Sequence, residues 1–329
     1  MKVALLYNGR PTEIPENAPD DAFEEYDGPE TIASISTALS QLGIDVDPVL
    51  ADRQLPWRLA DGRYDFIFNI AEGEGRRYRE AAPVGVCELL KIPFTGSDAL
   101  TLAMTLDKWV ARRVVSPDVP VVNAALVNGV IDREELLQLQ YPVIVKPNDE
   151  GSSKGIHENS IAADVEGAIA RCRRLQDSYG CPVLVEEFLC GMEVTVGIIG
   201  NWPNARVLGM MEIAPVISND SFVYSLEVKR NFKTRVHYHN PPRLDARTND
   251  LLRQLALRAY RVLGCRDVAR IDFRLDGLGQ PHFLECNPLP GLNRESGDIV
   301  ILSRNSLSYE TLVQKILLEA LARVGASIE

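Results

Sequence analysis

One short segment restricts the fold more than any other, namely "VARIDFRLDGLGQPHFLECN" at residues 268–287. Two β-prone runs flank Asp-Gly-Leu-Gly, so the segment predicts an antiparallel hairpin. A turn centred near Leu278 predicts three cross-strand pairs: Asp272 with Glu285, Arg270 with Asn287, and Arg274 with Phe283. Because side chains alternate along a strand, two acids, an amide and an arginine then share one face.

The facing carboxylates of Asp272 and Glu285 create an electrostatic problem. Two like charges repel each other, and burial in a sheet increases the cost. A divalent cation removes the conflict, because two carboxylates and the Asn287 carbonyl are the hard oxygen ligands that suit Mg²⁺ or Mn²⁺. Arg270 on the same face suits a phosphate oxygen. A solvated sheet face with salt bridges is the alternative that the spacing leaves open.

The order of strands and helices predicts the fold class. In the first third of the chain, strand-like runs alternate with helical ones: "KVALLY", "PETIASISTALSQLG", "DVDPVL", "YDFIFNI" and "PVGVCELLKI". Such alternation is typical of parallel strands joined by crossover helices, as in a Rossmann-like α/β domain. Farther on, "MEVTVGIIG" and "ARVLGMMEI" flank the turn "NWPN" and predict an antiparallel pair. We therefore expect an α/β domain followed by mixed α+β structure.

This order divides the chain into three expected units: a parallel-sheet domain at residues 1–96, a central unit at 97–187 and a C-terminal unit at 188–329. The central unit is expected to contain one continuous helix, "TLAMTLDKWVARRVV", and a second helix, "DREELLQLQ". An acidic, proline-rich segment at 8–28 separates the first strand from the first helix, and its composition predicts a mobile loop.

Composition excludes several classes of protein. The 329 residues carry a net charge of −11, from 46 acidic and 35 basic side chains, which argues against a nucleic-acid or anionic-membrane surface. No apolar run approaches the roughly 20 residues that span a bilayer, and the opening "MKVALLYNG" is typical of a buried strand rather than a signal peptide. The six cysteines form no C-x-x-C pair, so we expect reduced thiols and a cytoplasmic protein.

A glycine- and serine-rich loop follows a buried strand in "YPVIVKPNDEGSSKG". Gly151, Ser152 and Ser153 allow backbone N–H groups to approach an anion closely, and Lys146 at the strand end adds a positive charge. The spacing differs from G-x-x-x-x-G-K-[ST], so the loop is not a Walker A motif. A plain flexible turn explains the loop equally well.

Further charged residues are candidates for a nucleotide site. The segment "VLVEEFLCGMEVTV" carries Glu186, Glu187 and Glu193, whose carboxylates suit ribose hydroxyls, beside backbone that suits a base. Lys108 and Lys229 lie in "TLDKWVARR" and "SLEVKRNFKT". Each of these residues is equally consistent with an ordinary surface charge.

Taken together, these segments resemble the ATP-grasp superfamily and, within it, the D-alanine–D-alanine ligase family. The resemblance rests on five segments: "PFTGSDALTLAMTLDK", "YPVIVKPNDEGSSKG", "VLVEEFLCGMEVTV", "SLEVKRN" and "RIDFRLDGLGQPHFLECNPLPG". It covers nearly the whole chain and is strongest from residue 92 to 291. It implies a Rossmann-like domain followed by a two-subdomain ATP-grasp fold.

The resemblance also implies roles for individual residues. The phosphates of ATP would contact Lys108, Lys146, Lys229, Glu150, Ser152 and Ser153. Adenine and ribose would contact Glu186, Glu187, Leu189 and Glu193. Two Mg²⁺ or Mn²⁺ ions would be held by Asp272, Glu285 and Asn287. Catalysis would involve Arg270, Ser152 and Lys229, and substrate binding would involve Gly291, Arg294 and Ser296.

The chain departs from the family where the amino acids would bind. Arg230 replaces a tyrosine after Lys229, "LNRESGD" replaces a run of small hydroxyl residues, and "NIAEGEGRRYREA" replaces a His-Gly pair. The family's short first loop, whose glutamate binds an amino group, becomes the 8–28 segment. The candidates for that acid are Glu24, Glu25 and Glu30. These changes point to amino-acid partners other than D-alanine.

The resemblance implies an ATP-dependent carboxylate–amine ligase that joins two amino acids, or an amino acid and a peptide, through an acyl phosphate. It also implies small-molecule substrates, a homodimer, and no nucleic-acid or membrane partner. Two alternatives stay open at this point. One is a nucleotide-binding regulatory module without ligation, and the other is a kinase that stops at an acyl phosphate.

Overall fold

The N-terminal part of the chain is an α/β unit built on a parallel sheet. A computed structural model describes residues 1–10, 19–75, 77–217 and 221–328. The first elements are β1 (Lys2–Tyr7), α1 (Pro29–Ser40), β2 (Asp45–Leu50), α2 (Leu55–Gly62), β3 (Phe66–Asn69) and α3 (Ala81–Leu90). The strands form a parallel sheet in the order β2–β1–β3. Val3 and Leu5 of β1 pack towards α1, and Ala4 and Leu6 pack towards α2 and α3, so both faces are covered.

The middle of the chain forms a four-stranded antiparallel sheet with helices beside it. Its elements are α4 (Ala99–Leu106), α5 (Lys108–Val115), β4 (Ala124–Val127), α6 (Arg133–Leu136), β5 (Val143–Pro147), β6 (Ile161–Ala162), α7 (Val165–Tyr179) and β7 (Val183–Glu187). The strand order is β4–β7–β5–β6. The apolar side of α7 packs on this sheet and forms a separate core.

The last part of the chain forms a larger antiparallel sheet. Its elements are β8 (Glu193–Ile199), β9 (Arg206–Pro215), α8 (Leu226–Arg230), α9 (Phe232–Arg235), β10 (Val236–His239), α10 (Ala246–Val262), β11 (Val268–Leu275), β12 (Pro281–Asn287), α11 (Asp298–Ser303) and α12 (Tyr309–Val324). The strand order is β10–β9–β8–β11–β12. A parallel sheet followed by two antiparallel sheets confirms the predicted fold class. Among the described residues, no helix is both long and apolar enough to cross a membrane.

The β11–β12 hairpin has the predicted register in its functional half. Asp272 pairs with Glu285 and Arg270 pairs with Asn287, as the sequence predicts. The predicted pairing of Arg274 with Phe283 is wrong, because Arg274 pairs with His282. A β-bulge after Asp272 places one extra residue in β12 and shifts the register beyond that point.

Two helix predictions are also corrected. The expected continuous helix at 101–115 is divided into α4 and α5 at Asp107, whose ψ of 97° is not helical. The Asp107 carboxylate caps α5 by accepting from the N–H of Val110, and it also accepts from Arg77 and Asn148. The helix expected in "DREELLQLQ" is only the four-residue α6, and α2 was not predicted at all.

The described part of the acidic 8–28 segment is anchored, in contrast to the mobile loop that its composition predicts. Residues 11–18 of that segment lie outside the described residues. The buried Asp21 carboxylate accepts from the Gly155 N–H at 3.0 Å and from the Tyr179 hydroxyl at 2.7 Å. Arg230 of α8 donates to the carboxylates of Asp20 and Glu24. These contacts fix residues 19–28 over the middle of the molecule.

A buried carboxylate joins the N-terminal unit to the end of the chain. Asp267 is fully buried and accepts from the Gly96 N–H at 2.8 Å, from Asn201 at 2.8 Å and from Arg323 of α12 at 2.9 and 3.0 Å. Arg323 also donates to the Phe94 carbonyl at 2.7 Å. Since a buried charge without a partner is costly, this pair stabilises the contact between the segment at 94–96, α12 and the large sheet.

We expect Arg323→Ala to lower the free energy of unfolding by about 3 kcal/mol, because it leaves the Asp267 charge buried without its cation. Urea unfolding followed by circular dichroism measures the change. Arg206→Ala is the matched control, since Arg206 pairs with Glu319 near the surface and its loss costs about 0.5 kcal/mol. Equal losses in the two variants would contradict the assigned importance of Asp267.

Candidate active site

Two adjoining cavities lie where the two antiparallel sheets and the N-terminal unit meet. The large cavity has about 860 Å³ of empty volume and is lined by side chains from β5, β7, β8 and β11. The small cavity, about 490 Å³, extends to acidic residues of the N-terminal unit. The two cavities share four lining residues: Ser152, Lys229, Arg270 and Glu285. Charged groups predicted from three separate parts of the sequence therefore face one connected space.

A buried lysine–glutamate pair forms one wall of the large cavity. The Lys146 ammonium on β5 donates to the Glu186 carboxylate on β7 at 2.5 Å, and both side chains are buried. Antiparallel pairing of β5 with β7 brings the two side chains together. Arg112 lies 3.8 Å from the other Glu186 oxygen. The pairing keeps a positive charge at the wall without leaving it unpaired.

Lys108 enters the small cavity from the start of α5. Its ammonium lies 3.4 Å from the Glu285 carboxylate and also donates to the Glu150 backbone carbonyl. The helix break at Asp107 places Lys108 at the first helical position, where its side chain reaches the hairpin. The break that the sequence did not predict is therefore what positions this lysine.

The two carboxylates of the hairpin differ in proton affinity although they face each other. Burial raises the pKa of Asp272 to about 7; Arg270 opposes this shift and repulsion from Glu285 adds to it. Burial also acts to raise the pKa of Glu285, but Lys108, Arg270 and Lys146 outweigh it and hold that pKa at about 2. Without a further cation, Glu285 is thus ionised at neutral pH, whereas Asp272 tends to keep a proton.

Arg270 lies between three acids. Its guanidinium is 2.8 Å from the Asp272 carboxylate and 3.3 Å from the Glu285 carboxylate, and it also pairs with Asp298 at the start of α11. These contacts and the alternation along β11 hold the arginine towards both cavities. Arg270 and Lys229 are the two positively charged residues that line both cavities.

The donor set on the hairpin fits a hard divalent cation. The Asp272 Oδ1 atom is buried and has no hydrogen-bond partner among the described residues. Asn287 accepts the Leu289 N–H through its Oδ1 atom and lines the small cavity. Across the described ranges, no group of three or more His, Cys, Asp or Glu side chains is arranged to hold a metal. A cation here would therefore need phosphate or water oxygens beside the protein ligands.

The glycine- and serine-rich loop closes over the cavities in a restricted conformation. Ser152 and Ser153 have φ values of 51° and 60°, a left-handed conformation that costs non-glycine residues free energy. The Lys229 ammonium donates to the Ser152 hydroxyl at 3.2 Å, and the Ser153 hydroxyl donates to the Tyr224 carbonyl at 2.9 Å. At Gly155, with φ of 69°, a Cβ atom would lie 2.6 Å from Pro147. The loop is thus held over the cavity by α8 and its own backbone.

The strand end at β7 lines the large cavity with backbone and acids. Glu186, Glu187 and Leu189 all line it, but the Glu187 carboxylate accepts from Asn123 and from the Gln140 N–H. Glu193 also lines the cavity and lies 3.4 Å from Arg274. Burial raises the pKa of Glu193, and Arg274 opposes the shift.

The sequence analysis missed Arg274, Tyr224 and Asp298, which also line the large cavity. Arg274 stacks on Phe188 at 4.5 Å and donates to the Phe222 carbonyl at 2.6 Å. Its signal was present, because Arg274 continues the two-residue alternation of Arg270 and Asp272 along β11. Asp298 and Tyr224 lie in loops or at a helix start, where no periodicity marks them.

The candidate acids of the first loop lie in different places. Glu25 is buried, lines the small cavity and accepts from Arg79 at 2.8 Å and from Lys154 at 2.9 Å. Glu24 instead pairs with Arg230, and Glu30 lies exposed in the first turn of α1. Of the three, only Glu25 lines either cavity.

The three residues predicted to bind substrate line neither cavity. Arg294 stacks on Tyr309 at 4.2 Å and pairs with Glu310. The Ser296 hydroxyl donates to the side-chain Oδ1 atom of Asn293 at 3.0 Å, and Gly291 is exposed in the same loop. Their role in substrate binding stays a prediction.

Comparisons with known proteins agree with this geometry. A family model described as "D-ala D-ala ligase C-terminus" matches residues 121–318. The chain is 30 % identical to D-alanine–D-alanine ligase of Bordetella avium over 327 residues, which cover 99 % of this chain and 96 % of that protein. It is 32 % identical to D-alanine–D-alanine ligase of Geobacter sulfurreducens over 296 residues, 87 % of each chain. The crystal structure of Bacillus anthracis D-alanine–D-alanine ligase complexed with ATP superposes with a TM-score of 0.77, at 18 % identity and 98 % coverage of both chains.

The structural likeness establishes the class, an ATP-grasp fold preceded by a Rossmann-like sheet. The sequence likeness establishes the family: the chain belongs to the D-alanine–D-alanine ligase family and is an ATP-dependent carbon–nitrogen ligase. The predicted family and enzyme class are confirmed. This family generally uses ATP and a divalent metal ion with amino-acid substrates.

The burial of Glu80 beside the small cavity predicts a pH-dependent stability. Burial raises the pKa of Glu80 to about 7 from 4.5, so the folded state binds this proton more tightly than the unfolded state. Stability is then highest below pH 4.5 and falls as the pH rises towards 7. Glu80→Gln removes that loss. As the pH rises from 4.5 to 8, we expect the unfolding free energy of the variant to gain on the order of 1–3 kcal/mol relative to that of the wild type.

Urea unfolding of the wild type and of Glu80→Gln, each at pH 4.5 and at pH 8, measures the difference. Glu88→Gln, on the exposed side of α3, is the control and is expected to follow the wild type. A Glu80→Gln variant whose stability changes with pH in parallel with the wild type would contradict the assignment.

Proposed function

We propose that the protein uses ATP to join the carboxylate of one amino acid to the amine of a second amino acid or of a peptide. The observation that carries the proposal is the convergence of Lys146, Lys229, Arg270 and the Asp272–Glu285 pair on one cavity. Lys108 adds a further positive charge beside Glu285. Such a set of cations and acids suits a triphosphate whose terminal phosphate is transferred.

The nucleotide is proposed to lie in the large cavity between the two antiparallel sheets. The residues proposed for its phosphates are Lys108, Lys146, Lys229, Glu150, Ser152 and Ser153. The residues proposed for adenine and ribose are Glu186, Glu187, Leu189 and Glu193. For Glu187 this role falls to the backbone, since its carboxylate binds Asn123 and Gln140. Arg274 supports this end of the cavity by holding Glu193 and stacking on Phe188.

Asp272, Glu285 and Asn287 are proposed to hold the divalent ions, which we assign as two Mg²⁺ or Mn²⁺ ions. Such ions, when bound, neutralise phosphate charge and orient the phosphates for transfer. The unpartnered Asp272 oxygen and the hard-oxygen donor set support this assignment.

The reaction is proposed to proceed in two steps. The donor carboxylate attacks the terminal phosphorus of ATP, which forms an acyl phosphate and releases ADP. The acceptor amine then attacks the acyl carbon, loses a proton and expels phosphate, which leaves an amide. Arg270 is placed to stabilise the negative oxygen that develops on the acyl carbon, with Ser152 and Lys229 beside it. The closed loop at 150–155 keeps water from the acyl phosphate.

Four finer points belong to the same proposal. Gly291, Arg294 and Ser296 bind the acceptor. The domain boundaries are 1–96, 97–187 and 188–329, each containing one of the three sheets. The protein acts as a homodimer in the cytoplasm.

We expect Asp272→Asn and Glu285→Gln each to lower turnover by at least about 100-fold, because each removes a charge that the phosphates need. Steady-state ADP release measures turnover, and thermal unfolding shows that the fold is kept. Asp276→Asn is the control, since Asp276 lies at the far end of the same hairpin and accepts from turn N–H groups. An Asp272→Asn/Glu285→Gln double variant with wild-type turnover would exclude the metal assignment.

The reaction itself is tested by ADP release over pairs of L- and D-amino acids, followed by mass analysis of the product. We expect an amide whose mass is the sum of the two amino acids minus water. A product limited to an acyl phosphate would favour the kinase alternative. Nucleotide binding without ADP release from any pair would favour the regulatory alternative.

A further inference from the structure

The small cavity contains two carboxylates that the proposed reaction does not use. Glu72 and Glu80 line it beside Glu25, and Glu80 is only 7 % exposed. Among the residues that the structure describes, neither Glu72 nor Glu80 has a hydrogen bond or an ion pair. Glu25 differs from them, because it accepts from Arg79 and Lys154.

The nearby cations are already engaged. Arg79 donates to the Asp149 carbonyl at 2.8 Å as well as to Glu25. Lys154 binds both Glu25 and Glu150. The Lys108 ammonium binds the Glu150 carbonyl and lies against Glu285. Arg79, Lys108 and Lys154 still act to lower the pKa of Glu80, and Arg79 that of Glu72, but among the described residues none of them forms an ion pair or a hydrogen bond with either acid.

Two unpaired acids at one cavity wall are costly for the empty protein. Burial raises the pKa of Glu80 to about 7 and raises that of Glu72 well above its usual value. Repulsion from Glu25 adds to both shifts, and Arg79 opposes both. A positively charged ligand group recovers this cost, since a buried charge is best satisfied by an opposite charge. Glu25 is the candidate acid for the α-ammonium of the donor, so Glu72 and Glu80 remain for a second positive charge on its side chain.

We propose that the small cavity receives a donor amino acid with a cationic side chain, an amine or a guanidinium, and that Glu72 and Glu80 form the subsite for that charge. The proposal rests on the ligase function proposed above, since it names the donor of that reaction. Arg270, Lys229 and Ser152 form the wall shared with the large cavity, so the donor carboxylate faces the nucleotide. The donor side chain then points towards the N-terminal unit.

Direct binding tests the subsite separately from the chemistry. Calorimetry with magnesium and a non-hydrolysable ATP analogue compares both enantiomers of 2,4-diaminobutyrate, ornithine, lysine and arginine with those of norvaline, which has an uncharged side chain. We expect at least one cationic amino acid to bind at least tenfold more tightly than norvaline. In Glu72→Gln and Glu80→Gln, the ratio of the two affinities is expected to fall at least tenfold.

The affinity ratio within one variant controls for any loss of folded protein. Glu74→Gln serves as the matched control, because Glu74 is a neighbouring exposed acid that lines neither of the two cavities. Its ratio is expected to equal that of the wild type. Equal or undetectable binding of the cationic amino acids and norvaline, or an unchanged ratio in both glutamine variants, would overturn the proposal.

Ligation assays distinguish this outcome from failure of the proposed function. If a cationic amino acid binds selectively but no amide forms with any acceptor, the subsite stands and the ligase proposal fails. If norvaline and the cationic amino acids are ligated with equal kcat/KM, the ligase proposal stands and the subsite is overturned.

Discussion

The balance of charge on the β11–β12 hairpin is the constraint on which the rest of the site depends. Asp272 and Glu285 face each other at a buried position, and their repulsion is offset by three cations, two of which come from outside the hairpin. Lys108 comes from α5, Lys146 from β5 and Arg270 from the hairpin itself. Each of these elements has to be in place for the acids to remain side by side. The site is therefore a product of the packing of the two antiparallel sheets and not of one motif.

The sequence predicts those features that follow from local periodicity. Alternation along β11 and the glycine turn are sufficient to predict the pairing of Asp272 with Glu285, since both depend only on neighbouring residues. The bulge that moves Arg274 opposite His282 places one extra residue in β12, and no local pattern in the sequence marks it. Asp107 ends α4 and caps α5, and Asn148 and Arg77 hold its carboxylate from distant positions in the sequence.

Two departures from the family turn out to be parts of one contact. Arg230 stands where the family has a tyrosine, and the acidic 8–28 segment stands where the family has a short loop. The structure joins them, because Arg230 binds Asp20 and Glu24. Glu25, the next residue, then reaches the small cavity. In the sequence, Arg230 and the acidic segment look like two unrelated changes. Only the tertiary structure shows that each compensates for the other.

The Asp267 contact affects how the protein unfolds. Apolar residues of β1, α1 and α12 share one core, and Asp267 ties Gly96 to Arg323 at its edge. If α12 separates from the first sheet, that core becomes exposed to water and the charge of Asp267 is left buried without its cation. Denaturation of the amino-terminal third is thus expected to be cooperative with release of the carboxyl-terminal helix. Trimming the final turns of that helix would loosen a domain more than 200 residues distant in sequence.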